Sequence, residues 1–234
     1  MANEFQLGGV VPWGREADEY EALFALSDVP ASARVLDCGG GPASFTAEWC
    51  ARGRTVRAVD PLYAHDAATI QARFDATRSA MDEGMRRAHA RFVWAFYPSE
   101  DAVVARRERA LARFLADRAR HPERYVAGGL PRLPFADAAF DLVLCSHFLF
   151  LYSDELSLEL HVASLHEMLR VGAEVRVFPL QDMQGEPSRH LETAIAALRA
   201  HARVERVAVP FEFQRGANQM LRLRRGRDSL TDRA

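Results

Sequence analysis

The hydrophobic and polar positions of the chain divide it into two alternating kinds of segment. Short continuous apolar runs are typical of strands that are buried on both faces of a parallel sheet, whereas apolar residues three and four positions apart predict helices. The predicted strands are residues 34–38, 55–60, 141–146, 174–180, 206–213 and 219–224. The predicted helices are residues 15–27, 43–52, 65–93, 99–120, 154–170 (with Ser153 as cap) and 188–201. This alternation predicts an α/β fold with a doubly wound, mostly parallel sheet.

The region 61–124 interrupts this pattern after the second strand. It is nearly free of glycine, has two long helical runs, and contains twelve Arg and nine acidic residues. We therefore expect two parts: a core of residues 1–60 and 125–234, and an inserted helical cap of residues 61–124. The Arg side chains of the insertion have two interpretations: a solvated helix face with Glu–Arg pairs, or a clamp for a carboxylate or phosphate.

Polar residues and glycines follow the first two predicted strands. Asp37 is followed by Cys38 and three consecutive glycines, Gly39 to Gly41, and the second strand ends at Asp60. In open parallel sheets ligands bind beyond the carboxyl ends of the strands, and glycine lets the backbone approach a ligand closely. A carboxylate at the tip of the second strand can accept hydrogen bonds from both hydroxyls of a ribose, and 23 residues from Asp37 is a suitable spacing.

The glycine run does not match a dinucleotide site. That site uses G-x-G-x-x-G to place a pyrophosphate at a helix N-terminus, and here Ala43 replaces the third glycine. The Asp37 carboxylate would repel a pyrophosphate, but it could pair with a cationic ligand. S-adenosyl-L-methionine, which has a ribose, a positive centre and no phosphate, fits this pattern better.

Three motifs, in order, resemble the class I S-adenosylmethionine-dependent methyltransferases. Residues 35–42 resemble motif I, and residues 133–143 resemble the L-P-F-x-D-x-x-F-D-x-V stretch before the fourth strand. Residues 167–172 resemble the L-R-P-G helix end, with Val171 in place of Pro. The resemblance covers about residues 30–60 and 125–224. We therefore expect a Rossmann-like methyltransferase core with a seven-stranded sheet whose last strand is antiparallel.

The resemblance implies S-adenosyl-L-methionine as the cofactor and suggests which residues bind it. The family often has an Asp for the adenine amino group before L-P-F, but this chain has Gly128-Gly129-Leu130 there. Adenine would then be held by backbone and by apolar contact. The candidate cofactor-binding residues are Asp37, Gly39, Gly41, Asp60, Leu62, Gly129, Leu130 and Ser146.

His147 and Tyr152 are the candidate catalytic residues. His147 follows the fourth strand, where the methionine end of the cofactor is expected, and an imidazole there could accept a proton from an acceptor hydroxyl or amine. It could also line the cofactor pocket or be purely structural. Tyr152 is a candidate for contact with the substrate. No spacing of His, Cys and carboxylates indicates a metal site.

Composition narrows the chemistry further. All 30 basic residues are Arg, which excludes Schiff-base chemistry and Lys-dependent phosphate loops. Three Cys, an odd number, favour a reducing compartment. The net charge of −2 gives no cationic field for nucleic acid, no apolar stretch is long enough to span a membrane, and the N-terminus lacks a signal-peptide pattern. We expect a cytoplasmic protein with a small-molecule partner.

The sequence therefore predicts methyl transfer from S-adenosyl-L-methionine to an O or N nucleophile of a small, possibly acidic, molecule. The alternative is a non-catalytic S-adenosylmethionine-binding or regulatory protein. The missing adenine Asp and the absence of an unambiguous general base motivate that alternative. In either case the sequence leaves the oligomeric state open.

Overall fold

In the computed structural model, which describes residues 11–226, seven strands form one sheet with helices against its faces. The strands are β1 (Arg34–Cys38), β2 (Thr55–Val59), β3 (Tyr125–Val126), β4 (Phe140–Ser146), β5 (Gly172–Phe178), β6 (Ala202–Ala208) and β7 (Gln219–Arg225). The helices are α1 (Ala17–Phe24), α2 (Phe45–Ala51), α3 (Ala67–Arg87), α4 (Glu100–Arg120), α5 (Leu158–Val171) and α6 (Leu191–Leu198). The outer ends of the expected core, 1–10 and 227–234, lie outside the described residues.

The strand order across the sheet is β3-β2-β1-β4-β5-β7-β6. The pairs from β3 to β5 are parallel, whereas β7 is antiparallel to both β5 and β6. The expected doubly wound, mostly parallel seven-stranded sheet is confirmed, and so is its antiparallel last strand. Chain order reverses between β1 and β4, and in sheets of this kind ligands bind at such a switch point.

The apolar strands are buried on both faces, as their continuous hydrophobic runs predict. On β1, Leu36 belongs to the core between the sheet and α5 and α6, whereas Val35 belongs to the core on the side of α1 and α2. On β4, Val143 and Leu144 are divided in the same way. Successive side chains point to opposite faces, so a strand covered on both sides has no polar alternation.

The seventh strand is β3, which no apolar run indicates. It contains only Tyr125 and Val126, which pair with Ala58 and Val59 of β2. Two residues are too short to produce a periodic pattern. The pairing is nevertheless continued beyond β2, because the Asp60 N–H donates to the carbonyl of Val126 at 3.2 Å.

Residues 61–124 connect β2 to β3 through a helical hairpin made of α3 and α4. Each helix has 21 residues and is about 31 Å long at 1.5 Å per residue. One end packs against β2 and β3, where Phe74 and Phe114 share a core with Ala58. The other end reaches the segment after β6, where the Val93 N–H donates to the carbonyl of Phe213 at 2.7 Å.

Several predicted boundaries are wrong, and two of them have a clear local cause. Helix α5 begins at Leu158, and the Ser157 hydroxyl accepts a hydrogen bond from its first turn. Ser153 is not a cap, because its hydroxyl donates to the carbonyl of Phe150 at 2.6 Å. The strand predicted over 206–213 ends at Ala208, because Pro210 has no N–H to donate to a strand ladder.

Candidate functional site

The carboxyl ends of β1, β2 and β4 bring three predicted residues, Asp37, Asp60 and Ser146, to one edge of the sheet. Asp60 joins two of the loops that start there. Its Oδ2 accepts a hydrogen bond from the Gly41 N–H at 2.9 Å, and its Oδ1 accepts from the Leu62 N–H at 2.7 Å. The predicted ribose acid therefore holds the glycine turn beside the end of β2.

The glycine turn needs each of its three glycines, for different reasons. Gly39 and Gly41 have φ angles of 69° and 53°, in the left-handed region that L side chains rarely adopt. A Cβ at Gly41 would have no neighbour within 4 Å, so there is open space beside this turn. A Cβ at Gly40 would lie 2.4 Å from Oδ2 of Asp37, so the close approach of this carboxylate requires the middle glycine.

Asp37 and Asp60 are buried carboxylates, 1% and 9% exposed. Within residues 11–226, neither forms a salt bridge with a basic side chain. Burial raises the pKa of Asp37 to about 7, although a hydrogen bond from Tyr20 opposes the shift. Burial also raises the pKa of Asp60 to about 6. Two adjacent acids that lack a counter-charge form a site that a cationic ligand with hydroxyl groups would complement.

The residues predicted to hold adenine lie beside Asp60. The Gly128 N–H donates to the carbonyl of Asp60 at 3.4 Å, and a Cβ at Gly129 would lie 2.9 Å from Cγ of Pro61. Leu62 is buried, and Leu130 is half-buried. Leu62 shares a core with Ala58, whereas Leu130 packs against the core of Val59, on the other face of β2. The contact of Leu62, Gly129 and Leu130 with adenine stays a prediction.

Hydrogen bonds engage both Asp37 and His147. The Tyr20 hydroxyl lies 3.1 Å from Oδ1 of Asp37, and the nearby Ser146 hydroxyl opposes the rise in the pKa of Tyr20. Oγ of Ser146 lies 3.0 Å from Nδ1 of His147. Tyr20 is one of the apolar positions of the predicted helix 15–27 and was not among the candidate site residues. The available signal was that a buried Tyr hydroxyl needs a hydrogen-bond partner.

His147 is a weak base in this position. Burial, with the nearby charges of Arg15 and Arg107, lowers its pKa well below the usual value, so the imidazole is neutral at pH 7. The backbone φ of His147 is +50°, and its backbone N–H donates to the carbonyl of Phe178 at 2.6 Å. A general base works best when its pKa lies near the working pH. The catalytic role of His147 stays a prediction.

Tyr152 is only 5% exposed. Its hydroxyl oxygen accepts a hydrogen bond from the Val11 N–H at 3.1 Å. Burial raises the pKa of Tyr152. The phenol is therefore protonated at pH 7, and its contact with an acceptor stays a prediction.

The Arg residues of α4 that face α1 form an ion-pair cluster that the sequence did not predict. Glu19 and Arg107 are almost completely buried, and Oε1 of Glu19 lies 2.7 Å from Nη1 of Arg107. The Tyr97 hydroxyl donates to the same carboxylate. We call the following nine residues the Arg–Glu cluster: Arg15, Glu16, Asp18, Glu19, Glu48, Arg106, Arg107, Arg109 and Arg113.

Three of the four carboxylates in this cluster, Glu16, Asp18 and Glu19, have oxygens within 4.8 Å of one another. Each of the three is paired with at least one guanidinium of α4. The acids are therefore neutralised by Arg. These contacts join two helices. They therefore match neither of the two interpretations from the sequence, Glu–Arg pairs on one solvated helix face or a clamp for a carboxylate or phosphate.

The two motifs downstream of the insertion bind each other. Arg170 donates to the carbonyls of Leu133 and Phe135, at 3.2 and 2.9 Å. The Leu133 N–H donates to Glu167 at 2.6 Å. The end of α5 therefore fixes the loop that enters β4, so these motif residues support the fold and do not contact the strand-end site directly.

The strand order, the antiparallel β7 and the glycine turn after β1 define the class I methyltransferase fold. No model of a known protein family matches the chain. The chain is 30% identical over 213 residues to the uncharacterized protein MJ0045 of Methanocaldococcus jannaschii, covering 91% of this chain and 95% of that protein. It belongs to the same family as MJ0045.

Similar solved structures are S-adenosylmethionine-dependent methyltransferases. In each comparison the first coverage is that of this chain and the second that of the other chain. Magnesium protoporphyrin IX methyltransferase from Synechocystis PCC 6803, solved with the cofactor, is 14% identical, with coverage of 90% and 78% and a TM-score of 0.46. N-methyltransferase NodS from Bradyrhizobium japonicum WM9, solved with S-adenosyl-L-homocysteine, is 15% identical, with coverage of 90% and 86% and a TM-score of 0.47. A TehB-like methyltransferase from Corynebacterium glutamicum is 15% identical, with coverage of 88% and 87% and a TM-score of 0.46.

A helix must be both long and apolar to span a membrane. None of the helices among residues 11–226 meets both requirements.

Proposed function

We propose that the protein binds S-adenosyl-L-methionine at the ends of β1, β2 and β4 and transfers its methyl group to an O or N nucleophile of a small, possibly acidic, molecule. The observation that carries this proposal is the pair of buried carboxylates, Asp37 and Asp60, beside the open space at Gly41. The cofactor offers an ammonium group, a sulfonium and two ribose hydroxyls. These are the groups that two carboxylates without a basic partner would bind.

Each predicted cofactor residue has a distinct task in this proposal. Asp60 accepts the ribose hydroxyls, and Asp37 pairs with the cationic methionine end, where Ser146 lies. Gly39 and Gly41 have no side chains, so the cofactor can approach the backbone of the glycine turn closely. Adenine lies against apolar groups and backbone of Leu62, Gly129 and Leu130.

The bound cofactor supplies an electrophilic methyl group, and the residues of the chain position the acceptor for an in-line displacement. Such a reaction depends mainly on proximity and orientation. Neutral His147 can accept a proton from an acceptor hydroxyl or amine, and Tyr152 contacts the acceptor. The weak basicity of His147 suits an acceptor that is already nucleophilic. Residues 61–124 act as a cap that excludes water from this site.

The test is to incubate the purified protein with methyl-labelled S-adenosyl-L-methionine and a small-metabolite extract. We expect label in a small molecule, and we expect Asp60→Ala to lose most of the transfer. Asp66→Asn is the matched control, because this exposed carboxylate caps α3 outside the site. Label found only in RNA or protein would overturn the small-molecule class.

The second candidate is a non-catalytic S-adenosylmethionine-binding protein. It is favoured by the hydrogen bond that already engages the Tyr152 hydroxyl and by the low pKa of His147. The same preparation separates the two functions. Stoichiometric cofactor binding without label transfer to any fraction would support the binding protein and contradict the enzyme.

A further inference from the structure

Arg15 differs from the other guanidiniums of the Arg–Glu cluster. Within residues 11–226, its buried Nε has no hydrogen-bond partner, and its side chain is only 16% exposed. The nearest carboxylate oxygen, Oε1 of Glu19, is 3.9 Å from Nε. Glu19 already accepts hydrogen bonds from Arg107, Tyr97 and the Glu16 N–H.

The Arg–Glu cluster also contains more positively charged than negatively charged side chains. Four carboxylates face five guanidiniums, and the four Arg residues of α4 occupy the carboxylates at short range. Burial and the charge of Arg107 lower the pKa of Arg15 to about 10, so Arg15 is still protonated at pH 7. A buried cation without a close partner is costly unless an anion neutralises it.

Arg15 is adjacent to the candidate site. Its carbonyl accepts a hydrogen bond from the Ser44 N–H at 3.0 Å, immediately after the glycine turn. Its positive charge also lowers the pKa of His147 and opposes the rise in the pKa of Tyr152. The Arg15 backbone therefore packs beside the end of the glycine turn, and its side-chain charge acts on both candidate catalytic residues.

We propose that Arg15 binds a carboxylate in this site, carried either by the methionine moiety of the cofactor or by the methyl acceptor. The planar guanidinium can donate two parallel hydrogen bonds to a carboxylate. This inference rests on the proposed function. It adds the group that would neutralise the ligand's negative charge, while Asp37 and Asp60 complement its cationic and hydroxyl groups.

Isothermal titration with Arg15→Gln tests the proposal. The ligands are S-adenosyl-L-methionine and its decarboxylated analogue, which lacks only the carboxylate. If Arg15 binds the cofactor, the wild type prefers the complete cofactor at least tenfold, and Arg15→Gln loses that preference while binding the analogue as before. Arg15→Lys, which keeps the charge without the planar fork, retains part of the preference.

The second arm tests the acceptor as the source. Benzoate is titrated into the protein with and without saturating S-adenosyl-L-homocysteine. If Arg15 binds the acceptor, benzoate binds the wild type and is weakened at least tenfold in Arg15→Gln, while cofactor affinity is unchanged. Arg109→Gln, which removes a half-exposed charge from the same cluster, is the control for a general charge effect, and unfolding curves check that each variant is folded.

Equal behaviour of wild type and Arg15→Gln in both arms would overturn the proposal, and so would equal losses in Arg109→Gln. A wild type that binds no S-adenosyl-L-methionine would contradict the proposed function. In that case the benzoate titration of the cofactor-free protein still decides whether Arg15 is a carboxylate site. The two failures are therefore distinguishable.

Discussion

The hydroxyl of Tyr20 lies 3.1 Å from Oδ1 and 3.3 Å from Oδ2 of Asp37, so a residue of α1 donates a hydrogen bond to the acid at the end of β1. The Tyr20 ring is fixed by stacking on Phe45 of α2, with centroids 4.3 Å apart. The hydrogen bond favours the charged form of Asp37 and opposes the effect of burial. The position of α1 therefore influences whether Asp37 is ionised.

Removing this hydroxyl tests that relationship. Tyr20→Phe should raise the pKa of Asp37 further, since a hydrogen bond to a charged group contributes about 1.5–3 kcal/mol. A smaller fraction of Asp37 is then ionised at pH 7, which should weaken S-adenosyl-L-methionine binding by about 1–2 kcal/mol. The matched control is Tyr125→Phe, which removes a Tyr–Asp hydrogen bond of 2.8 Å to Asp117. Titration calorimetry should show a loss of cofactor affinity for Tyr20→Phe and none for Tyr125→Phe. Equal losses of affinity in both variants would contradict the prediction.

Cofactor binding should depend on pH because the charged forms of Asp37 and Asp60 bind a cation. Their pKa values of about 7 and about 6 mean that one or both are protonated below pH 6. Affinity should rise between pH 5.5 and 7.5, by at most about tenfold per pH unit for each group. Asp60→Asn should remove the lower part of this dependence. A flat profile for the wild type would show that neither carboxylate meets a cation.

The stability of the cofactor-free protein should have the opposite dependence. The raised pKa of Asp37 means that the folded state binds a proton between about pH 4 and 7 that the unfolded state has lost, so this group makes stability fall as pH rises through that window. Asp37→Asn should therefore exceed the wild type in stability at pH 8 by up to about 4 kcal/mol and lose that advantage at pH 4. Urea unfolding at both pH values measures the difference, with the exposed Asp75→Asn as control. The prediction would be disproved if the stability difference between Asp37→Asn and the wild type were the same at pH 4 and pH 8.

The buried pair of Glu19 and Arg107 should be needed for folding. Glu19→Gln leaves the Arg107 guanidinium buried without its carboxylate, and breaking a buried pair in this way costs about 3–5 kcal/mol. Glu83→Gln breaks an exposed pair with Arg87 and should cost under about 0.5 kcal/mol. Denaturant unfolding compares the two, and similar small losses would mean that the buried pair adds no net stability.

The pattern of the sequence was sufficient where the interactions are local. Strands β1 and β2, the glycine turn and Asp60 could be predicted, because continuous apolar runs and consecutive glycines have few alternative structures. The contact of Tyr20 with Asp37 could not, since a Tyr at an apolar helical position has the same spacing whether or not its hydroxyl reaches a carboxylate. The pairing of Glu19 with Arg107 spans 88 residues and depends on how α4 packs against α1. The strand β3 is defined by its pairing with β2 and has no pattern of its own.

Titration calorimetry of S-adenosyl-L-methionine into the wild type and Asp60→Ala tests the central claim most directly. Asp60 accepts from both Gly41 and Leu62, so its carboxylate lies where the cofactor's ribose is proposed to bind. We predict saturable binding to the wild type and a loss of about 1.5–3 kcal/mol in Asp60→Ala, with Asp66→Asn unchanged. Unchanged affinity in Asp60→Ala, or binding of NADH in preference to S-adenosyl-L-methionine, would contradict the account.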